Sequence, residues 1–156
     1  SLFAAADPGD LFVVRNVGNV VPCPDNVEGS AESSAIEYAV TALGVSHIVV
    51  CGHAKCGAMH AVCGLGDTAM LPMTERWLHN ASSTGTAVAD IEDADTRWDA
   101  AIRHNAIAQA ENVRTHPCVQ ERLATKQLTV AAKVAYHHTR IAGPAGLANT
   151  NPWMWA

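Results

Sequence analysis

VVCGHAKCGAM, residues Val49–Met59, begins as an apolar run and ends in two cysteines, a histidine and two glycines. With His47 and Ile48 before it, the run reads as a short buried strand, too apolar for simple alternation. Chemically capable side chains then crowd the point where the strand stops. Whether they bind a metal, attack a substrate or merely pack depends on what the chain builds around them.

Upstream, Asp7–Asp10 (DPGD) is a turn signal, because proline presets φ and glycine tolerates positive φ. Leu11–Asn16 (LFVVRN) reads as another buried strand, and the Gly-, Pro- and Asx-rich segment Gly18–Ser30 as a loop. A helix follows, capped by Ser30 or Ser33, with acidic Glu32 and Glu37 near its start. Ala35, Ile36, Ala39, Val40 and Leu43 share its inward face, and Gly44 ends it. Strand, helix and strand over about 40 residues predict a right-handed βαβ crossover and a parallel sheet. Such sheets bind ligands beyond the carboxyl ends of their strands, which is where CGHAKCG lies.

Downstream, Gly57–Cys63 predicts helix, 64–72 loop, and Met73–Ala81 a short helix around Trp77 and Leu78. The polar stretch Ser82–Asp95 reads as a connector. A longer helix is expected from Arg97 to Thr115, with Trp98, Ile102, Ala106 and Val113 inward. Pro117 breaks it before another short helix, and Gln127–Ile141 holds one last strand or two. Residues 143–156 form an irregular tail rich in Gly, Pro and Asn, with two tryptophans. The expected architecture is a single α/β domain over 1–156, a mainly parallel β-sheet flanked by helices.

Composition narrows the function. The chain's 156 residues suit one domain with a real core. Ten basic and fifteen acidic residues leave a formal charge of −5, with no basic run, so nucleic acid is a poor partner. No apolar stretch reaches the roughly 18–20 residues of a membrane span. The start lacks the basic region of a signal peptide, which fits a cytosolic chain and equally one whose start has been removed. Five cysteines without framework spacing fit reduced thiols, hence a cytoplasmic protein or one of a reducing organelle or microcompartment.

His53 and Cys56 stand two residues apart, and imidazole nitrogen and thiolate sulfur are both good Zn²⁺ ligands. Gly52 and Gly57 suit a turn that brings both to one ion. If Cys56 opens the next helix, the helix N-terminus favours its thiolate. A second reading makes Cys56 a nucleophile with His53 as base, and a third only packs them. Cys51 reads as a buried, inert thiol, and Cys23, Cys63 and Cys118 likewise. His60, His79, His104, His116, His137 and His138 read as solvated or structural.

Three blocks, DPGDLFVVRNVGNVVP, SAIEYAVTALGVSHIVVCGHAKCGAM and NVRTHPCVQERL, resemble the β-class carbonic anhydrases in order and spacing. The resemblance covers residues 2 to 136. It implies a mainly parallel α/β fold, a zinc enzyme interconverting CO2 and bicarbonate, and a homodimer or higher homo-oligomer. It makes His53 and Cys56 metal ligands, and Arg15, Asn16, Gly18 and Asn19 supporting residues near the site or the dimer seam. The implied chemistry is attack by a metal hydroxide on CO2.

The chain departs from the family at one place that matters. The family's Cys-x-Asp-Ser-Arg motif, source of a third ligand and of an Asp/Arg dyad, occurs nowhere in these residues. The catalytic dyad is therefore unassigned. The expectation is a chain incomplete at its start, missing the motif and the family's first strand; the alternative is a degenerate homologue with a structural or assembly role. Carbonyl sulfide or carbon disulfide hydrolysis is the other alternative, by the same zinc chemistry. Near the end the family's His-Gly-Trp is replaced by AAKVAYHH, with Tyr136 in the expected region.

Overall fold

A computed structural model describes residues 9–24 and 30–136. Its order is a 3₁₀ turn Val17–Asn19, α1 (Ala31–Glu37) running into a π-helical turn Tyr38–Ala42, β1 (His47–His53), α2 (Gly57–Val62), α3 (Pro72–Leu78) with a 3₁₀ turn His79–Ala81, α4 (Ser82–Ala87), α5 (Ala94–Arg114), α6 (Pro117–Ala124) and β2 (Thr129–Ala135). The architecture is α/β, a parallel sheet flanked by helices. β1 and β2 pair in parallel from His47↔Thr129 to His53↔Ala135.

Local chemistry explains most boundaries. Ser30 caps α1 by accepting the Ser33 N–H at 3.0 Å. Asp93 caps α5 through the Thr96 N–H at 2.9 Å. Pro72 and Pro117 stand in the first turns of α3 and α6, where a missing N–H costs nothing.

α5 is the spine. Its Ala101 and Ile102 join a core with Cys56 and Met59 of α2, Leu78 and Val20. Further along, Ala110 and Val113 join Val40, Val50, Val119, Leu128 and Val130. The sheet lies on this helix: a Cβ added at Gly52 would rest 3.5 Å from Ile102 and 3.8 Å from Ala106.

Five expectations are corrected. Leu11–Asn16 forms no strand, and Leu11–Val14 stay about half exposed, because no described strand lies beside them to pair with. The expected βαβ partner of β1 is therefore replaced by β2. Cys51 is exposed rather than buried, because alternation sets it with His47 and Val49 on the sheet face that α5 does not cover. Leu43 is exposed because the π-helical turn widens the helix and turns its last residues outward. Ser82–Ala87 is helix, not connector: Thr84 is fully buried and hydrogen-bonds His104 Nδ1 at 3.0 Å. Finally, neither Gly52 nor Gly57 takes a positive φ; Gly52 is a strand residue, Gly57 opens α2, and Lys55 makes the left-handed turn at φ +57°.

The last strand forms as expected. The stretch beyond Tyr136, including the tail 143–156, lies outside the described residues. No helix among the described residues is long and apolar enough to cross a membrane.

Candidate metal centre

β1 delivers His53 as its last residue. The Ala54 N–H still donates to Ala135 O at 2.8 Å, so the ladder holds one step past the histidine. The chain then reverses at Ala54–Lys55 and places Cys56 at the N-cap of α2. Two elements of the core thus fix the two side chains: the sheet holds one and the start of a helix the other.

His53 Nδ1 lies 3.0 Å from Ala54 O. A carbonyl only accepts, so Nδ1 carries the proton and Nε2 keeps its lone pair. A backbone carbonyl holding one ring nitrogen is the usual way a ligating histidine is oriented. His53 and Cys56 lie close enough to shift each other's protonation, and Cys56 is the main cause raising the His53 pKa above its ordinary value, against burial, which lowers it. Cys56 is 4% exposed. Burial pushes its thiol up, but the neighbouring His53 imidazole and the backbone N–H groups of Met59 and Ala58 outweigh it, and the net shift is downward. A thiol readied for deprotonation beside an imidazole with a free lone pair is a donor set that suits zinc. Among the described residues, no third His, Cys, Asp or Glu completes a metal-sized cluster with them.

The Arg15–Asn19 segment reaches the centre indirectly. Asn16 Nδ2 donates to Val20 O at 2.8 Å and Glu32 Oε1 at 3.2 Å, and its Oδ1 accepts the Val20 N–H at 2.9 Å. Gly18, at φ +80°, is buried against α2: a Cβ there would stand 3.2 Å from Ala58 Cβ and 3.3 Å from Met59 Cε. The loop therefore backs the helix that Cys56 caps. Asn19 Nδ2 is buried without a partner, and Arg15 is exposed.

Two features were missed by sequence reasoning. Asn105, Gln109 and Asn112 form a polar ladder along α5 that grips the Gly18–Val21 backbone. Their i, i+4 and i, i+3 spacing on an otherwise apolar face was the available signal. Trp98 packs against the core as its helical spacing predicts, and its Nε1–H also donates to the Cys56 carbonyl at 2.7 Å.

The family model described as "Carbonic anhydrase" matches residues 1–140. The chain belongs to the β-class carbonic anhydrase family. It is 44% identical to a carbonic anhydrase of Pseudomonas aeruginosa over 131 residues, 83% of this chain and 59% of that protein. The structure of the β-carbonic anhydrase CcaA superposes with a TM-score of 0.80 at 32% identity, covering 86% of this chain and 67% of that one. One of two tetrameric β-carbonic anhydrases of Sordaria macrospora matches with a TM-score of 0.72 at 26% identity, over 86% of this chain and 68% of the other. The chain spans about half to three fifths of the length of the curated relatives it matches. Family membership places its likeness across both the sheet and the His53–Cys56 turn.

Proposed function

We propose that this chain supplies two ligands, His53 and Cys56, to a zinc centre that interconverts CO2 and bicarbonate. The observation that carries the reading is the placing of His53 at the end of β1, its ring oriented by the Ala54 carbonyl, and of Cys56 at the N-cap of α2, in a chain of this family. When bound, zinc would acidify a water molecule and so provide a nucleophile near neutral pH. The chain's own residues do the positioning. The Ala54 carbonyl holds the His53 ring by Nδ1–H and leaves Nε2 to bind. Burial keeps Cys56 fixed, while the backbone N–H groups of Met59 and Ala58 at the start of α2 favour its thiolate.

The same reading makes the working protein a homodimer or higher homo-oligomer in a reducing compartment, where Cys56 stays available to metal. Supporting the oligomer is the sheet face carrying His47, Val49 and Cys51, which no described helix covers; parallel sheets normally bury both faces. The tetrameric Sordaria relatives point the same way.

Metal analysis of the full-length protein with stopped-flow CO2 hydration tests the proposal. The expected result is one firmly held zinc per chain and measurable hydration. Absence of zinc would sink it and leave the non-catalytic reading.

A further inference from the structure

Lys55, the residue between the two proposed ligands that turns left-handed, sits in a conformation that side chains rarely adopt. Two groups of α5 hold it there. Its ammonium lies 3.2 Å from Asp95 Oδ1 and 4.6 Å from the Trp98 ring centroid. The same indole donates Nε1–H to the Cys56 carbonyl at 2.7 Å and meets the His60 ring of α2 edge-on, with centroids 4.6 Å apart. Trp98 therefore touches Lys55, Cys56 and His60 at once.

The Cys56 carbonyl also accepts the His60 N–H at 3.1 Å, the first helical bond of α2. Rotating the Cys56 peptide would break both bonds together. The direction in which the Cys56 Cα–Cβ bond leaves follows from that backbone, so the indole sets the base from which the sulfur reaches without touching it.

We propose that Trp98 and Lys55 are positioning residues that hold the ligand turn in its metal-receiving geometry before metal arrives. The proposal rests on the reading of His53 and Cys56 as zinc ligands. The benefit is preorganisation: a turn already ordered loses less freedom when it binds. The two arms are unequal. Lys55 and Asp95 are both well exposed, so their ion pair is weak. The Trp98–Cys56 bond is partly buried and made by a rigid side chain. Trp98 carries the larger share.

The test uses the full-length protein, metal-free and metal-loaded, as wild type, Trp98→Phe and Lys55→Gln. Zinc affinity comes from competition with a chromogenic chelator, apo stability from thermal melting, and ligand geometry from the thiolate-to-metal band of the cobalt-substituted protein. Trp98→Phe keeps a ring beneath Lys55 and deletes the N–H donor. Its zinc affinity is expected to fall about tenfold, the range for lost outer-shell partners, with a shifted cobalt band and a nearly unchanged apo melting point. Lys55→Gln is expected to lose about threefold, as suits an exposed cation–π and ion pair. Wild-type affinity and cobalt spectrum in Trp98→Phe would overturn the proposal, as would a lower apo melting point with unchanged affinity, which marks mere packing. If Trp98→Phe does not fold, Lys55→Gln decides, and unchanged affinity and spectrum in it overturn the proposal. Failure of the wild type to hold zinc, or zinc retained after His53→Ala, instead refutes the ligand assignment beneath it.

Discussion

Asn105 Nδ2 donates to the Gly18 carbonyl across 2.8 Å, with Asn105 wholly buried. Its Oδ1 accepts from Gln109 Nε2 at 3.0 Å, and Gln109 Oε1 takes the Val21 N–H at 2.8 Å and Asn112 Nδ2 at 3.1 Å. One face of α5 thus satisfies a loop that no sheet or helix ladder reaches.

Gln109→Leu should reveal what that ladder is worth. The substitution leaves the buried Asn105 Oδ1 and the part-buried Val21 N–H without their partner, at about 1–3 kcal/mol for a fully buried group so orphaned. Urea unfolding is expected to show a loss of about 2 kcal/mol. A loss within about 0.5 kcal/mol, the range of ordinary surface substitutions, would mean water replaces the amide and the ladder is dispensable.

Gly18→Ala tests the close approach of the loop to α2. The residue needs φ +80°, and its new Cβ would crowd Ala58 at 3.2 Å. Backbone strain of this kind costs about 1–3 kcal/mol. A lower thermal midpoint is the expected outcome. Gly52→Ala is the control, because its Cβ meets only ordinary contacts at 3.5 Å and beyond, and it should cost less.

His116 gives a pH signature. It is 3% exposed, and burial lowers its pKa below the ordinary 6.5, with a hydrogen bond to the Pro22 carbonyl opposing the shift. Its Nε2 is buried without a partner, so a second proton would have no acceptor. The unfolded chain takes up that proton near pH 6.5 and the folded chain resists it. Stability from this group is therefore complete well above pH 6.5 and declines as pH falls toward the folded-state value. His116→Gln should be less stable than wild type at pH 7.5, with the gap narrowing by pH 5.5 in urea titrations. A gap independent of pH would show that His116 does not titrate differently on folding.

His53→Ala and Cys56→Ala should each abolish zinc retention and CO2 hydration, measured as metal per chain and stopped-flow rate. Cys51→Ala should keep both, because its exposed thiol makes only a 3.5 Å contact to the Gly52 carbonyl and stands apart from the pair. Loss of zinc on removing Cys51 would reassign the ligand set.

Much of the frame was legible because its signals are local. Ser30 before an amphipathic run, the helical stretches after Pro72 and Pro117, and the β-branched stretches of β1 and β2 act within a few residues, and each element forms, with both prolines inside the first helical turn rather than before it. His53 and Cys56 were legible for the same reason: two residues of spacing and one turn bring them together. The errors share an opposite cause. Leu11–Val14 have strand-forming composition but lack a described neighbour to pair with. Ser82–Ala87 looks like a linker until Gly85 is seen against the Val62 carbonyl, where an added Cβ would come within 2.6 Å. Cys51 has the apolar company of a buried residue, yet burial depends on which sheet face a helix covers.

The sequence by itself determined the family, the parallel α/β frame and the pair of ligand candidates, since each rests on short-range pattern or on blocks of matching residues. Only the tertiary structure decided that Lys55 rather than a glycine makes the turn, that Trp98 reaches from α5 to the Cys56 carbonyl, and that Asn105 and Gln109 hold the Gly18 loop. Those partners lie about 40 to 90 residues apart in the chain. Contacts at that separation have no periodicity to announce them; they exist because α5 packs across both the ligand turn and the loop behind it.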